Sequence, residues 1–519
     1  MPDIKEIYAD VVVIGGSAAG LPAAVRAREA GAEKVVVLDK TKQLGGCARL
    51  AAGMFATDTD TQRSMGIRVS ADDCFREHMA AQNWRCDARL VRKWMKGGGP
   101  MIRWLEDHGV HFNMVNDFWA YGKGRTVYHK VMDEVGASTG NVTVSQLARC
   151  CEEMGIDVYR KTRANHLLLD ENGAVCGVMA YNVDNEEEVY KFVTKCVVLG
   201  TGSVGANKEL IARFMPGEDH SHTKVMSALP HSTGDGLIMA EEIGAASTPA
   251  GCLRMGPHNH PNNIRAGLLI RRPEPMTVNK LGERFTDESL YSRNVFSWFA
   301  GESLDVQPDK VCYVIYSKKT LDTMVAAAKN CYGLEEDQGR IRGGADMLQD
   351  FGGEKGVELE KVGPTAWWGR VMKDVESEVE KGRCKKSDTI RGLAGFIGCD
   401  PDVLEDTVKR YNFFCERGFD DDFLKDKEYL YPLYESEGPF YCFEAHQGID
   451  TIIGGIKVDH NLRVLDKTSH PIPGLFAAGV CVGGWLNTGY TFSGACLGFS
   501  VWSGFEVGRN AGEYAVSVK

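Results

Sequence analysis

The sequence predicts an α/β fold built on βαβ units, with a smaller α+β domain inserted into it. Three observations lead there. The run Asp10–Gly20 followed by Val35–Asp39 reads as a buried strand, a glycine turn, a helix over Leu21–Ala30 and a second buried strand. A further apolar run, Lys195–Leu199, feeds a second glycine turn over Gly200–Asn207. Between about 256 and 438 the chain turns more charged, with amphipathic helices and loops rich in Pro, Asn and Gly; from Gly454 the glycine-dense, apolar character returns. The chain therefore divides into a discontinuous first domain, 1–255 with 439–519, and an inserted domain, 256–438.

Each element has a physical reason. Gly15 permits a tight turn, and Gly20 lets the helix approach the strand closely. The start of that helix leaves N–H groups without intrahelical partners, which suits a pyrophosphate. Asp39 falls about 20 residues after the last glycine, where a carboxylate accepts from ribose hydroxyls. This is a Rossmann-like dinucleotide fingerprint with one departure. Ser17 stands where the second glycine is expected, so the loop must hold a side chain beside the phosphates. Downstream, the small residues of Gln43–Gly53, with Gly45 and Gly46 among them, suit contact with a large flat ligand. Helices are predicted over Ala71–Gln82, Ala88–His108 and Val144–Met154, around an aromatic-rich segment with Phe118, Trp119, Tyr121 and Tyr128. Strands at 157–161, 164–170 and 174–182 are predicted to form a small meander, and Thr233–Gly236 opens a helix reaching Gly244.

Composition narrows the function. A net charge of −11 and a pI of about 5.7 argue against a nucleic-acid surface. Sixteen cysteines include no C-x-x-C pair, no haem-attachment motif and no ferredoxin series, so they read as small buried hydrophobes. The electron carrier is then expected to be one organic cofactor. Met1-Pro2-Asp3 runs straight into the first strand and no apolar run reaches membrane-spanning length, so a cytoplasmic protein without membrane insertion is expected.

The fingerprint, the Val197–Asn207 turn, Thr233–Gly236, the Val278–Phe285 segment and the Pro473–Gly479 segment follow one another in this order. With them the chain resembles the flavoprotein subunits of fumarate reductases and succinate dehydrogenases, a family that also holds 3-ketosteroid dehydrogenases and urocanate reductases. The resemblance spans nearly the whole length, including a cap helix over Asp402–Gly418 with Tyr411 and Asn412. It implies FAD in an extended pose and a capping domain that closes substrate against the flavin. It also implies FAD contacts from Gly15, Ser17, Ala18, Asp39, Lys40, Gly45, Gly46, Gly202 and Gly479, and from Gly494, Cys496 and Leu497 in the 494–497 turn. Some members attach the flavin through a His near the Gly45–Gly46 position; none stands there in this sequence, so non-covalent FAD is expected. Val480 occupies a position where the family usually has Glu.

Departures from the family pattern speak to the substrate. Dicarboxylate reductases carry His-His-Thr-Met-Gly-Gly where this chain has Asp450–Gly455. They also carry Asn-Arg-Leu-Gly-Gly, whose Arg clamps a carboxylate, where this chain has Thr488–Gly494 and no Arg. Neutral groups are poor replacements for a bidentate guanidinium clamp, which disfavours fumarate and succinate. Tyr490 and Gly494 instead have the spacing with which ketosteroid dehydrogenases aim a Tyr hydroxyl and a Gly N–H at one ketone oxygen. Such a pair stabilises an enolate in the manner of an oxyanion hole; the alternative is a core tyrosine with a satisfied hydroxyl. For the second proton the resemblance offers Tyr291, near the ketosteroid dehydrogenase Glu-Ser-Leu-Pro-Tyr position although the Pro is missing here, and Arg271, spaced from Asn279 like the proton-delivering Arg of fumarate reductases. Tyr121, Arg272 and His258 are candidate substrate-binding residues, and no metal-ligand spacing involves His231, His258 or His260.

The expectation is an FAD-dependent oxidoreductase of the CH–CH type. Its substrate would be a neutral, ring-containing molecule with a ketone beside the reacting bond, ketosteroid-like, with hydride exchanged with flavin N5 and reduction favoured over desaturation. A polyphenol such as an isoflavonoid derivative is an alternative substrate. Another is a small unsaturated acid of the urocanate, acrylate or fumarate type, held by Arg271 and Arg272. A non-catalytic flavin-stabilised subunit is a further reading. Electrons would pass to or from a separate carrier or dissociable donor.

Overall fold

The computed structural model describes residues 4–116, 126–131, 138–215, 224–225, 229–258, 269–270, 272–292, 302–331, 364–487 and 489–518. The first strand, Ile4–Ile14, pairs in parallel with Val35–Leu38 on one side and Asn185–Leu199 on the other, with Val13 opposite both Val37 and Val198. Along this sheet the order is Arg463–Leu465, Pro471–Ala477, Asn185–Leu199, Ile4–Ile14, Val35–Leu38 and Asp157–Tyr159. The β-branched runs at its centre are buried on both faces, as a sheet covered by helices requires.

The meander differs from its prediction. Asp157–Tyr159 leaves it and adds to the edge of the parallel sheet beside Val35–Leu38. Thr162–Leu169, Val175–Asn182 and the long Asn185–Leu199 strand make the antiparallel set instead. A short apolar alternation does not distinguish these partners; the preceding helix, Thr139–Glu153, supplies the crossover that permits parallel pairing. That helix starts earlier than Val144 because the Ser138 hydroxyl accepts the Asn141 N–H at its first turn.

The helix Ala495–Ser517 lies along the fingerprint helix Gly20–Glu29. Gly504, Gly508 and Gly512 recur every four residues on the contact face, and a Cβ on each would collide with the carbonyls of Ala19, Ala23 and Ala27 respectively. Close backbone approach therefore fixes these two helices in one register.

A second sheet gathers around Phe440–Ile453, which pairs with Lys224–Val225, Gly251–His258, Val311–Ser317 and Cys384–Ser387, while Met276–Asn279 pairs with Val311–Ser317. The expected boundary between 255 and 256 falls inside the Gly251–His258 strand, and the one between 438 and 439 lies at the turn before Phe440. Helices Lys318–Cys331 and Pro364–Glu380 accompany a core containing Tyr316 and Phe443. Pro401–Arg417 covers another, with Ile315, Phe440 and Tyr411. Among the described residues no helix is long and apolar enough to cross a membrane.

Candidate active site

The fingerprint loop is held from three directions. Gly15 has φ +106°, and a Cβ there would overlap the Gly200 carbonyl of the second glycine turn. The Gly16 N–H donates to Asp39 Oδ2 at 2.8 Å, while Oδ1 accepts from the Thr41 N–H at 2.8 Å and the Thr41 hydroxyl at 2.7 Å. Asp39 is thus oriented by its own neighbourhood before any ribose meets it. Ser17, the departure from the glycine pattern, turns its hydroxyl onto the Gly45 carbonyl at 2.5 Å, and Gly45 returns an N–H to Gly16 O at 2.8 Å. The extra side chain therefore ties the fingerprint loop to the Gly45–Gly46 turn. Ala18 is buried in the same loop.

Beyond this turn the Lys40 ammonium reaches Thr233 Oγ1 at 2.7 Å and Asp235 Oδ2 at 2.9 Å, and Arg163 grips Asp235 with two bonds of 2.9 and 3.0 Å. Burial works against the charged Asp235, yet Arg163 and Lys40 outweigh it and hold its carboxyl below the ordinary range. The Lys40 side chain is engaged by Thr233 and Asp235. His231 comes in from the same segment. Its Nε2 is buried with no hydrogen-bond partner and lies 3.9 Å from where a Gly46 Cβ would sit, with Ser17 Oγ 3.7 Å from that point. Burial, and after it the Lys40 charge, push its pKa down, so the ring is neutral near pH 7. A histidine does face the Gly46 turn, then, although none stands near it in sequence.

These residues fit FAD. No side chain caps the N-terminus of the Gly20–Glu29 helix, Gly202 borders open space at φ +81°, and an orphaned imidazole nitrogen faces the turn. Gly479, at φ +80°, meets Ala19 where its Cβ would be, and its N–H donates to Ser503 Oγ at 2.9 Å.

Tyr490 lies at the other end of the Ala495–Ser517 helix. Its ring is buried, and its hydroxyl oxygen accepts the Cys496 N–H at 2.8 Å. One of the orphan donors of that helix is satisfied in this way, and the bond polarises the O–H the phenol carries. Gly494 precedes the helix at φ +76°; a Cβ there would press on the backbone of Met54 and Phe55, and its carbonyl accepts the Phe55 N–H at 3.0 Å. Phe492 stacks on Phe55 with ring centroids 4.9 Å apart, and Leu497 is buried in the first turn. Tyr490 and Gly494 are thus brought to one helix terminus.

Tyr291 is buried in the short 3-10 turn Glu288–Ser292, which hangs on an ion cluster. Arg284 reaches Glu288 at 2.8 Å and Asp420 at 3.0 Å while stacking over Tyr411 and Phe423. The Lys425 ammonium donates to Pro275 O at 2.8 Å and Tyr411 Oη at 3.0 Å, and lies 3.7 Å from Glu288. Burial opposes charge on Glu288 and Asp420, but Arg284 beside them wins and both carboxyls sit below their usual values. This cluster was hidden in sequence; the i, i+4 spacing of Arg284 and Glu288 was the one local signal for it. Arg272 pairs with Glu274 at 2.6 Å, so its charge is already opposed. Tyr121, Arg271 and His260 lie outside the described residues, as does the side chain of His258. Among the described residues no group of three His, Cys, Asp or Glu side chains is placed to hold a metal ion.

Residues 10–497 match the family model described as FAD binding domain. A vinyl phenol reductase of Lactiplantibacillus plantarum is 30% identical over 529 residues, covering 97% of this chain and 96% of the relative. Among solved structures, the open conformation of a flavocytochrome c3 fumarate reductase aligns with a TM-score of 0.71 at 25% identity, covering 98% of this chain and 79% of that one. A 3-ketosteroid-Δ4-(5α)-dehydrogenase from Rhodococcus jostii aligns at 0.70 and 21% identity, covering 98% and 97%, a likeness of fold.

Proposed function

Because the chain belongs to the FAD binding domain family, we propose that it is an FAD-dependent reductase of a carbon–carbon double bond conjugated to the oxygen of a neutral ring compound. Cyclic enones have that chemistry directly, since hydride added at the β-carbon leaves its charge on the ketone oxygen. A vinyl-substituted phenol reaches it as a quinone methide, once its O–H is deprotonated and its terminal carbon protonated, and hydride then leaves the charge on the ring oxygen. The placement of the Tyr490 hydroxyl at the N-terminus of the Ala495–Ser517 helix, 2.8 Å from the Cys496 N–H, carries the reading. The similarity to a vinyl phenol reductase supports it.

Bound FAD supplies the hydride. The chain's own residues handle the oxygen and the proton. Tyr490 O–H and Gly494 N–H would bind the substrate oxygen and take up the negative charge that grows on it. Tyr291 or Arg271 would add the proton to the neighbouring carbon, so that one hydride and one proton saturate the bond. Phe492 and Phe55, buried and stacked on each other beside Gly494, would brace the backbone there from behind. FAD would be held non-covalently, and its electrons would come from a separate carrier or dissociable donor.

The test uses purified, flavin-loaded protein, photoreduced without oxygen and followed by flavin absorbance. Fast reoxidation by a cyclic enone or 4-vinylphenol, and none by fumarate or urocanate, is the expected result. Reoxidation only by the acids would refute the proposal and move substrate binding to Arg271 and Arg272.

A further inference from the structure

Tyr490 sits in a segment that has no regular structure of its own: the described residues of 483–494 belong to no helix or strand. On either side of Tyr490 its path is held by one helix far away in the chain. Gln82, at the end of the Ala71–Ala81 helix, is fully buried, and its amide bonds go to this segment. Its Oε1 accepts the Asn487 N–H at 2.8 Å, and its Nε2 donates to Gly489 O at 2.8 Å and Thr491 Oγ1 at 3.1 Å. One turn earlier, the fully buried His78 places Nε2 2.7 Å from Trp485 O. A carbonyl only accepts, so that nitrogen carries the proton, and the Nδ1 lone pair is left buried without a partner. The ring is wedged between Phe492 and Trp94.

Two side chains on one helix face thus hold residues 485, 487, 489 and 491, and Tyr490 lies between the last two. An apolar side chain would fill this buried position without the desolvation that a primary amide suffers. What the amide adds is geometry: three directed bonds specify the path of a backbone that no ladder specifies.

We propose that Gln82, with His78, is a positioning residue that sets where the Tyr490 hydroxyl points. This rests on the role given above to Tyr490. Gln82→Leu keeps the bulk and removes the three bonds. Gln82→Glu keeps the acceptor for Asn487 but sets a carboxylate against the Gly489 carbonyl. The discriminating experiment is a double-mutant cycle with Tyr490→Phe, read as the anaerobic reoxidation rate of the reduced flavin by a cyclic enone. Binding of 4-ethylphenol, followed through the flavin difference spectrum, gives a second readout.

Either Gln82 variant is expected to slow reoxidation roughly tenfold or more and to weaken 4-ethylphenol binding, and to add less than about twofold to either effect once Tyr490 is Phe. If the Gln82 and Tyr490 effects multiply in full, Gln82 acts on the fold alone and the proposal is overturned. A Tyr490→Phe enzyme as fast as the parent would fail the underlying reading instead, a separate result. Should Gln82→Leu not accumulate as folded protein, Gln82→Glu and His78→Gln complete the same cycle. A 4-ethylphenol affinity unchanged in every Gln82 and His78 variant would also count against positioning.

Discussion

Replacing Tyr490 by Phe deletes one oxygen from a buried ring and leaves its packing against the 485–499 region in place. Two losses follow, and they differ in size. The Cys496 N–H loses its acceptor at the start of the Ala495–Ser517 helix, a capping loss of about 1 kcal/mol in stability. The substrate oxygen loses a preorganised donor, worth roughly 2.7–4 kcal/mol at the transition state, or about 10²–10³ in rate. The kinetic effect is therefore expected to exceed the stability effect by a wide margin. Stopped-flow reoxidation of the photoreduced enzyme by a cyclic enone measures the first, and urea unfolding with flavin fluorescence measures the second. A variant that retains its flavin, unfolds about 1 kcal/mol more easily and reacts at least roughly a hundredfold more slowly fits the scheme. A variant within about twofold of the parent rate would refute it and return Tyr490 to the role of a helix cap.

Other outcomes are open to direct measurement. Acid precipitation is expected to release all the yellow colour into the supernatant; a yellow pellet would show covalent flavin and point to the His231 Nε2 facing Gly46. His78 and His129 are both held neutral, with burial pushing each pKa down to about 4. Between about pH 6.5 and 4 the unfolded chain binds these protons and the folded one does not, so stability is present above that window and falls as pH drops through it. About 2 kcal/mol per histidine is lost by pH 5. Urea midpoints at pH 7.5 and 5 would show it, and coincident midpoints would contradict two buried neutral imidazoles. Glu288→Gln leaves Arg284 paired with Asp420 and takes from the buried Lys425 the carboxylate it pairs with, which predicts a loss of about 3–5 kcal/mol in the same assay. A loss below about 1 kcal/mol would mean the cluster is far better solvated than its burial implies.

Where local pattern and chemistry coincide, the chain was legible. Gly15, Gly20 and Asp39 could be placed because strand, turn, helix and acid follow one another within a single βαβ unit. The function of Ser17 was not, because its partner, the Gly45 carbonyl, belongs to another turn. Asp157–Tyr159 was recognised as a strand but not as the edge of the parallel sheet, since pairing partners leave no trace in a three-residue run. His231 is near Gly46 only in space, and Lys425 reads in sequence as one more charge in an acidic loop until Glu288 and Tyr411 enclose it. Gln82 looked like the last residue of an amphipathic helix; its three partners lie about 400 positions on.

The glycine seam between Gly20–Glu29 and Ala495–Ser517 has a temporal consequence. During synthesis the fingerprint helix Gly20–Glu29 leaves the ribosome long before its seam partner, Ala495–Ser517. Until Gly504, Gly508 and Gly512 arrive, the backbone of Ala19, Ala23 and Ala27 has no cover, and the loop it anchors has no fixed floor. Flavin capture therefore waits until Gly504, Gly508 and Gly512 have been made and have found the fingerprint helix. The waiting time is set by a contact between distant parts of the chain, the slowest kind to find.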